Sequence, residues 1–181
     1  EQATPYTPNP AGQIHNFHDE EDQDWWSFEA QAGLHYIIET YNLEDWNDTV
    51  LYLFDAAGLE NGAYIDTNDD YGADYASRIE FSPEVTGTYY VVALNNYGDY
   101  GPYTGYYFRI YTIEEDALED DNDYLSANPI VVNGEWQFHN FFQEEDEDWV
   151  VFEAEAGQSY IIRTFDLDES TDTYLELYYE D

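Results

Sequence analysis

The chain sets 42 aspartates and glutamates against three arginines and no lysine in 181 residues, a formal charge of −39, with 43% hydrophobic and 19% aromatic side chains and no cysteine. This charge argues against nucleic acid or an anionic membrane as partner, and the missing cysteines exclude a disulfide framework, a thiolate zinc site and a cysteine nucleophile. No run approaches the roughly 20 apolar residues that span a bilayer, and Glu1 opens no basic-then-apolar leader, so a soluble, processed chain without membrane insertion is expected.

In chain order the pattern is strand after strand. Aromatic and β-branched runs separated by turn residues predict strands near residues 13–18, 24–30, 34–41, 48–55, 77–82, 88–95 and 104–113, with a short one near 62–66. Helix signals are nearly absent. Eight strands at this spacing predict an all-β fold, a jelly-roll-like antiparallel β-sandwich. Within 48–55, Leu51 and Leu53 are expected to face the core and Tyr52 to face out, because successive strand residues alternate between faces. Asn47-Asp48-Thr49 is an N-glycosylation sequon. In Asp66-Thr67-Asn68-Asp69-Asp70 the alternate residues Asp66, Asn68 and Asp70 either converge on a cation or make an Asx-rich turn. Tyr97, Tyr100, Tyr103, Tyr106 and Tyr107 are too dense to be all core, and suit either stacking on sugars or a neighbouring subunit, or half-buried edge filling.

The strongest signal is self-similarity: residues 125–181 align without a gap on residues 1–57, an offset of 124. Gln13-Ile14-His15-Asn16-Phe17 returns as Gln137-Phe138-His139-Asn140-Phe141, and Phe28-Glu29-Ala30-Gln31-Ala32-Gly33 as Phe152-Glu153-Ala154-Glu155-Ala156-Gly157. The expected organisation is a complete sandwich over 1–113, an acidic connector over 114–124 and the N-terminal half of a second copy over 125–181. Half a sandwich leaves an apolar face and open strand edges, so strands from further sequence or from another subunit are expected to cover it. His15 and His139 share one repeat position and are expected to be structural. No Ser-His-Asp arrangement is suggested, and carboxylate pairs among 42 acids arise by accident, so no catalysis is expected.

Asp22, Asp24, Trp25, Phe28 and Gly33, then Asp48-Thr49-Val50-Leu51-Tyr52-Leu53-Phe54-Asp55, Asn68-Asp69-Asp70-Tyr71-Gly72, Ser77-Arg78-Ile79-Glu80-Phe81 and Thr86-Gly87-Thr88-Tyr89-Tyr90-Val91-Val92 together resemble the bacterial pre-peptidase C-terminal domain. That secreted module includes the collagen-binding domains of clostridial collagenases. The resemblance implies a non-catalytic jelly-roll-like sandwich appended to secreted peptidases or found in surface proteins. In the collagen-binding members the opening segment and the later Asp-x-Asp strand are implied to share calcium. Here that set is Asp120, Asn122, Asp123, Asp146 and Asp148, with Asp22 and Asp24 repeating its strand half in the first copy. Aspartates stand where the family's opening glutamate and proline would be, which keeps oxygen ligands but removes a rigid turn residue. Calcium takes six to eight oxygens, and carboxylates with an Asn carbonyl supply them; a solvated acidic turn is the plainer alternative.

The expected function is that of an extracellular, cell-surface structural or adhesive protein, whose calcium-stiffened repeats self-associate into a stalk, fibre or surface layer. The alternative is a substrate-targeting module of a secreted peptidase or glycoside hydrolase, holding a polysaccharide or protein polymer.

Overall fold

A computed structural model describes residues 2–44, 47–71, 75–142, 146–167 and 171–179. The chain divides into one unit of Glu1–Asp116 with Phe142–Glu144 and another of Ala117–Phe141 with Glu145–Asp181. Among the described residues no helix is long and apolar enough to cross a membrane.

The first unit is a two-sheet sandwich. Its strands are β1 (Thr4–Pro5), β2 (Asn9–Asn16), β3 (Asp24–Ala30), β4 (His35–Tyr41), β5 (Thr49–Asp55), β6 (Asp66–Asn68), β7 (Arg78–Phe81), β8 (Gly87–Asn95) and β9 (Gly105–Ile113). One sheet has the order β1-β3-β8-β5-β6, the other β2-β9-β4-β7. All pairings in the unit are antiparallel except β1 with β3, where Thr4 lies opposite Trp26 and Pro5 opposite Ser27. Seven of the expected strands overlap β2 to β5 and β7 to β9, the short one expected near 62–66 lies instead at Asp66–Asn68 as β6, and β1 is an addition. The all-β sandwich is therefore the observed fold class. A six-residue helix, α1 (Ala56–Asn61), interrupts the strands. Asp55 caps it by accepting from Gly58 N, and Gly62, at φ 71°, ends it in the left-handed region that glycine adopts without a Cβ penalty.

Alternation builds the core. In β3, Trp26, Phe28 and Ala30 are buried, and in β5 Leu51 and Leu53 are fully enclosed while Tyr52 is half-buried. Trp26 stacks on Phe108 from the opposite sheet at 3.7 Å between ring centroids, and Phe17 stacks on Tyr106 at 5.1 Å. The first of these pairs joins the two sheets, while the second packs the end of β2 on its neighbour β9 within one sheet, each ring burying a large apolar area.

The second unit repeats local contacts of the first. Strand β10 (Asn128–Pro129) pairs in parallel with β11 (Val150–Val151), at the offset that relates them to β1 and β3. Tyr36 Oη accepts from Gln31 N at 2.9 Å, and Tyr160 Oη accepts from Glu155 N at 2.7 Å. The Thr40–Thr49 hydroxyl pair at 2.6 Å recurs as Thr164–Thr173 at 2.6 Å, and Gly33 and Gly157 share φ values of 87° and 85°. What does not recur is burial. Leu51 and Leu53 are 0% exposed, whereas Leu175 is 53% and Leu177 73% exposed; Phe152 and Tyr160 are half-buried.

Candidate metal centres

Asp22 and Asp24 lie at and just before the start of β3, and their carboxylates are engaged by the protein. Asp22 Oδ2 accepts from His18 N at 2.8 Å and lies 2.5 Å from His18 Nδ1, closing the turn before β3. Asp24 Oδ2 accepts from the Tyr106 hydroxyl at 2.5 Å, and its Oδ1 lies 3.7 Å from His15 Nδ1. Burial, followed by the neighbouring Asp24 charge, holds the Tyr106 phenol well above the usual tyrosine range. The His–Asp pair recurs in the second unit as His139 Nδ1 and Asp148 Oδ1 at 3.3 Å, and the His15 ring lies edge-on to Trp26 at 4.9 Å.

In the second unit the acidic opening segment folds back on its own β11 entry. Asn122 Oδ1 accepts from Glu147 N at 3.1 Å, and Asp123 Oδ1 accepts from Leu125 N at 2.7 Å and Ser126 N at 3.1 Å. Those backbone bonds, first Leu125 and then Ser126, hold the Asp123 carboxyl below its ordinary value. Asp120 is exposed and Asp146 half-buried. The carboxylates that converge are Glu119, Asp121 and Asp148, with oxygens within 4.8 Å of one another. Asp121 is 1% exposed; its Oδ2 accepts from Asn128 Nδ2 at 3.0 Å, while Oδ1 is enclosed without a hydrogen-bond partner. Of the set implied by resemblance, Asp148 joins this cluster. Asn122 and Asp123 shape the turn that presents it. An all-oxygen donor set with one unsatisfied buried oxygen fits calcium, and Glu119, Asp121 and Asp148 are the residues that would hold it.

The loop after β6 is arranged differently from the alternate-residue expectation. Asp66 is exposed, its Oδ1 accepting from Thr67 N at 2.8 Å. Asn68 accepts from Arg78 N at 2.8 Å and donates to Asp70 O at 3.3 Å, so both ends of its amide are spent on the backbone. Asp70 instead converges with Asp48 and Asp69, one oxygen from each lying within 4.8 Å of the others. Sequence reading missed Asp48 and Asp69 because they come from separate strand ends. Gly72 of the same motif lies outside the described residues.

Asn47 is corrected. It is 2% exposed, its Nδ2 donates to Thr104 O at 2.9 Å and Gly105 O at 3.1 Å, and its Oδ1 accepts from Asn95 Nδ2 at 3.0 Å. The nitrogen a glycan would need is a buried strand-to-strand tie, so the folded unit does not offer this sequon. The tyrosine cluster separates: Tyr106 is core at 0% exposure, while Tyr97, Tyr100 and Tyr103 are 77%, 60% and 74% exposed. Arg78 and Arg109 are both drawn to the buried Glu39. Arg109 Nε donates to it at 2.6 Å and stacks on Tyr41 and Tyr111, and Arg78 Nε lies 3.9 Å from it.

Fold and sites thus define a small antiparallel β-sandwich module with carboxylates gathered at its strand ends. Residues 22–95 match the family model of the bacterial pre-peptidase C-terminal domain, which bears out the resemblance over that stretch; the second copy lies outside the match. Among solved structures, the pre-peptidase C-terminal domain of a collagenase from Bacillus anthracis aligns with a TM-score of 0.48 and 16% identity, covering 61% of this chain and 95% of that one. PliG of Aeromonas hydrophila, a periplasmic inhibitor of g-type lysozyme, aligns with a TM-score of 0.47 and 13% identity, covering 62% and 98%. No curated protein matches the chain.

Proposed function

We propose that the protein is a non-catalytic, extracellular tandem-repeat module that self-associates into a stalk, fibre or surface layer, with calcium stiffening the start of each repeat. The pre-peptidase C-terminal match over residues 22–95 supports the coarser part, a non-catalytic binding domain of a kind found in secreted proteins. The observation that carries self-association is the contrast between equivalent leucines. Leu51 and Leu53 are covered by their own sandwich, while Leu175 and Leu177, at the same repeat positions, stand 53% and 73% exposed on a segment that pairs with no strand among the described residues. Apolar surface of that kind is stabilised by removal from water at about 25 cal/mol per Å², and strands of a neighbouring repeat have the right face to cover it. The converged carboxylates of Glu119, Asp121 and Asp148 support calcium, because three anions gathered around one unsatisfied oxygen repel one another until a cation joins them.

Sedimentation velocity of the 181-residue chain tests this. Association that grows with concentration and calcium, and that is abolished by Leu175→Asp with Leu177→Asp, is expected. A monomer at every concentration, with and without calcium, would overturn it.

A second reading, a targeting module for an insoluble polymer, is favoured by Tyr97, Tyr100 and Tyr103, which are exposed together on the β8–β9 connection. Aromatic faces at that density suit stacking on sugar rings or on a protein polymer. Retention on insoluble polysaccharide or collagen that falls in a Tyr97→Ala, Tyr103→Ala variant would select it.

A further inference from the structure

Asp48 is 5% exposed and its Oδ1 is enclosed without a hydrogen bond; the Asn96 side chain bonds to its carboxyl, and Asp69 and Asp70 bear on it with like charge. Asn96 Nδ2 donates to Asp69 Oδ2 at 3.1 Å, and Asn96 N donates to Asp48 O at 2.9 Å. Register explains the convergence. Leu51 lies opposite Asn68 and Leu53 opposite Asp66 in the antiparallel β5–β6 pair. Extending that ladder brings Asp69 and Asp70 alongside the entry to β5, where Asp48 stands. Thr49 lies opposite Asn95, so the exit of β8 delivers Asn96 to the same point.

We propose that Asp48, Asp69 and Asp70 form a second, separate cation site, of the hard divalent type that calcium fills, tying together the ends of β5, β6 and β8. All three contributed groups are carboxylates with oxygens within 4.8 Å of one another, the donor chemistry calcium selects, with water completing six to eight ligands. The arginines of the first unit are drawn to other acids, Arg109 to Glu39 and Arg78 to Glu80 at 3.3 Å and Glu39 at 3.9 Å. The loop is held in place without using those carboxylates: Ser77 Oγ donates to Asp69 O at 2.8 Å and Asn68 Nδ2 to Asp70 O. Asp172 occupies the equivalent of Asp48 one repeat on. Residues 125–181 contain no counterparts of Asp69 and Asp70.

Calcium chloride titrated calorimetrically into the whole chain is the test. An Asp69→Asn, Asp70→Asn variant, altered at two exposed positions, should lose one calcium event or weaken it at least tenfold. Asp172→Asn should leave that event unchanged, as should Asp121→Asn with Asp148→Asn, which separates this site from the one in the second unit. A second readout is thermal: calcium should raise the melting temperature of the unaltered chain, since a ligand of the native state stabilises it, and should raise that of Asp48→Asn much less. If the Asp69/Asp70 variant binds calcium with unchanged number and affinity, the site does not exist. The same follows if Asp48→Asn melts higher without calcium yet keeps the full calcium shift, because a proton on Asp48 then does what the cation was assigned.

Discussion

Asp24 and Asp48 both stand at strand entries, yet their neighbours give them different work. Asp24 receives a hydroxyl proton from Tyr106 and borders His15, whereas Asp48 faces two further carboxylates. The Tyr106 bond is the part of this contrast that is easiest to remove. Tyr106→Phe keeps the ring that stacks on Phe17 and deletes only the donor, so a loss of about 1–3 kcal/mol is expected in urea unfolding near pH 8, the usual cost of stranding a charged acceptor. The pH dependence has a definite sign. The phenol is held above its ordinary value of about 10, so its contribution is complete below about pH 10 and is lost as pH rises through the folded-state value. Unfolding midpoints at pH 8 and pH 11 should therefore lie closer together in Tyr106→Phe than in the unaltered chain. Equal spacing would show that the phenol does not titrate with unfolding.

Strands were legible from alternation wherever both faces had distinct surroundings. Thr49–Asp55 shows this: Leu51 and Leu53 point into the core and Tyr52 away, as alternation along a strand predicts. Helix α1 was not legible, because Ala-Ala-Gly-Leu-Glu-Asn has no apolar face at helical spacing and buries nothing; its cap, not its packing, makes it. Strand β1 escaped because two residues, one of them proline, carry no period. The cation cluster of the first unit was half legible. Asp70 stood in a visibly acidic loop, but Asp48 joins it through the β5–β6 register, which a linear reading does not contain. The burial of Asn47 was not legible for the same reason, since it depends on Thr104 and Gly105 arriving from far along the chain. Equivalent elements in unlike surroundings allow a direct comparison. Leu53→Ala should cost about 2–5 kcal/mol through the cavity it leaves. Leu177→Ala in the monomeric chain should cost under about 0.5 kcal/mol, as an exposed substitution does. Matching losses at the two positions would mean that Leu177 is already covered.

At the scale of the whole molecule, a charge of −39 works against both compactness and association unless it is screened or neutralised. The first unit answers in part within its own fold, with Arg109 on Glu39 and Arg78 between Glu80 and Glu39. At Asp48 and again at Glu119, Asp121 and Asp148 the acids are gathered, and a divalent cation is the neutralising partner the proposed function assigns to them. Cations at strand ends, together with an uncovered leucine face in the second unit, give one account of how so acidic a chain assembles. Electron microscopy of the native material, imaged in calcium and again after chelation, tests that account most directly. It predicts continuous filaments or ordered layers with a regular repeat in calcium, which loosen or disperse when calcium is removed; dispersed single particles in calcium would contradict it.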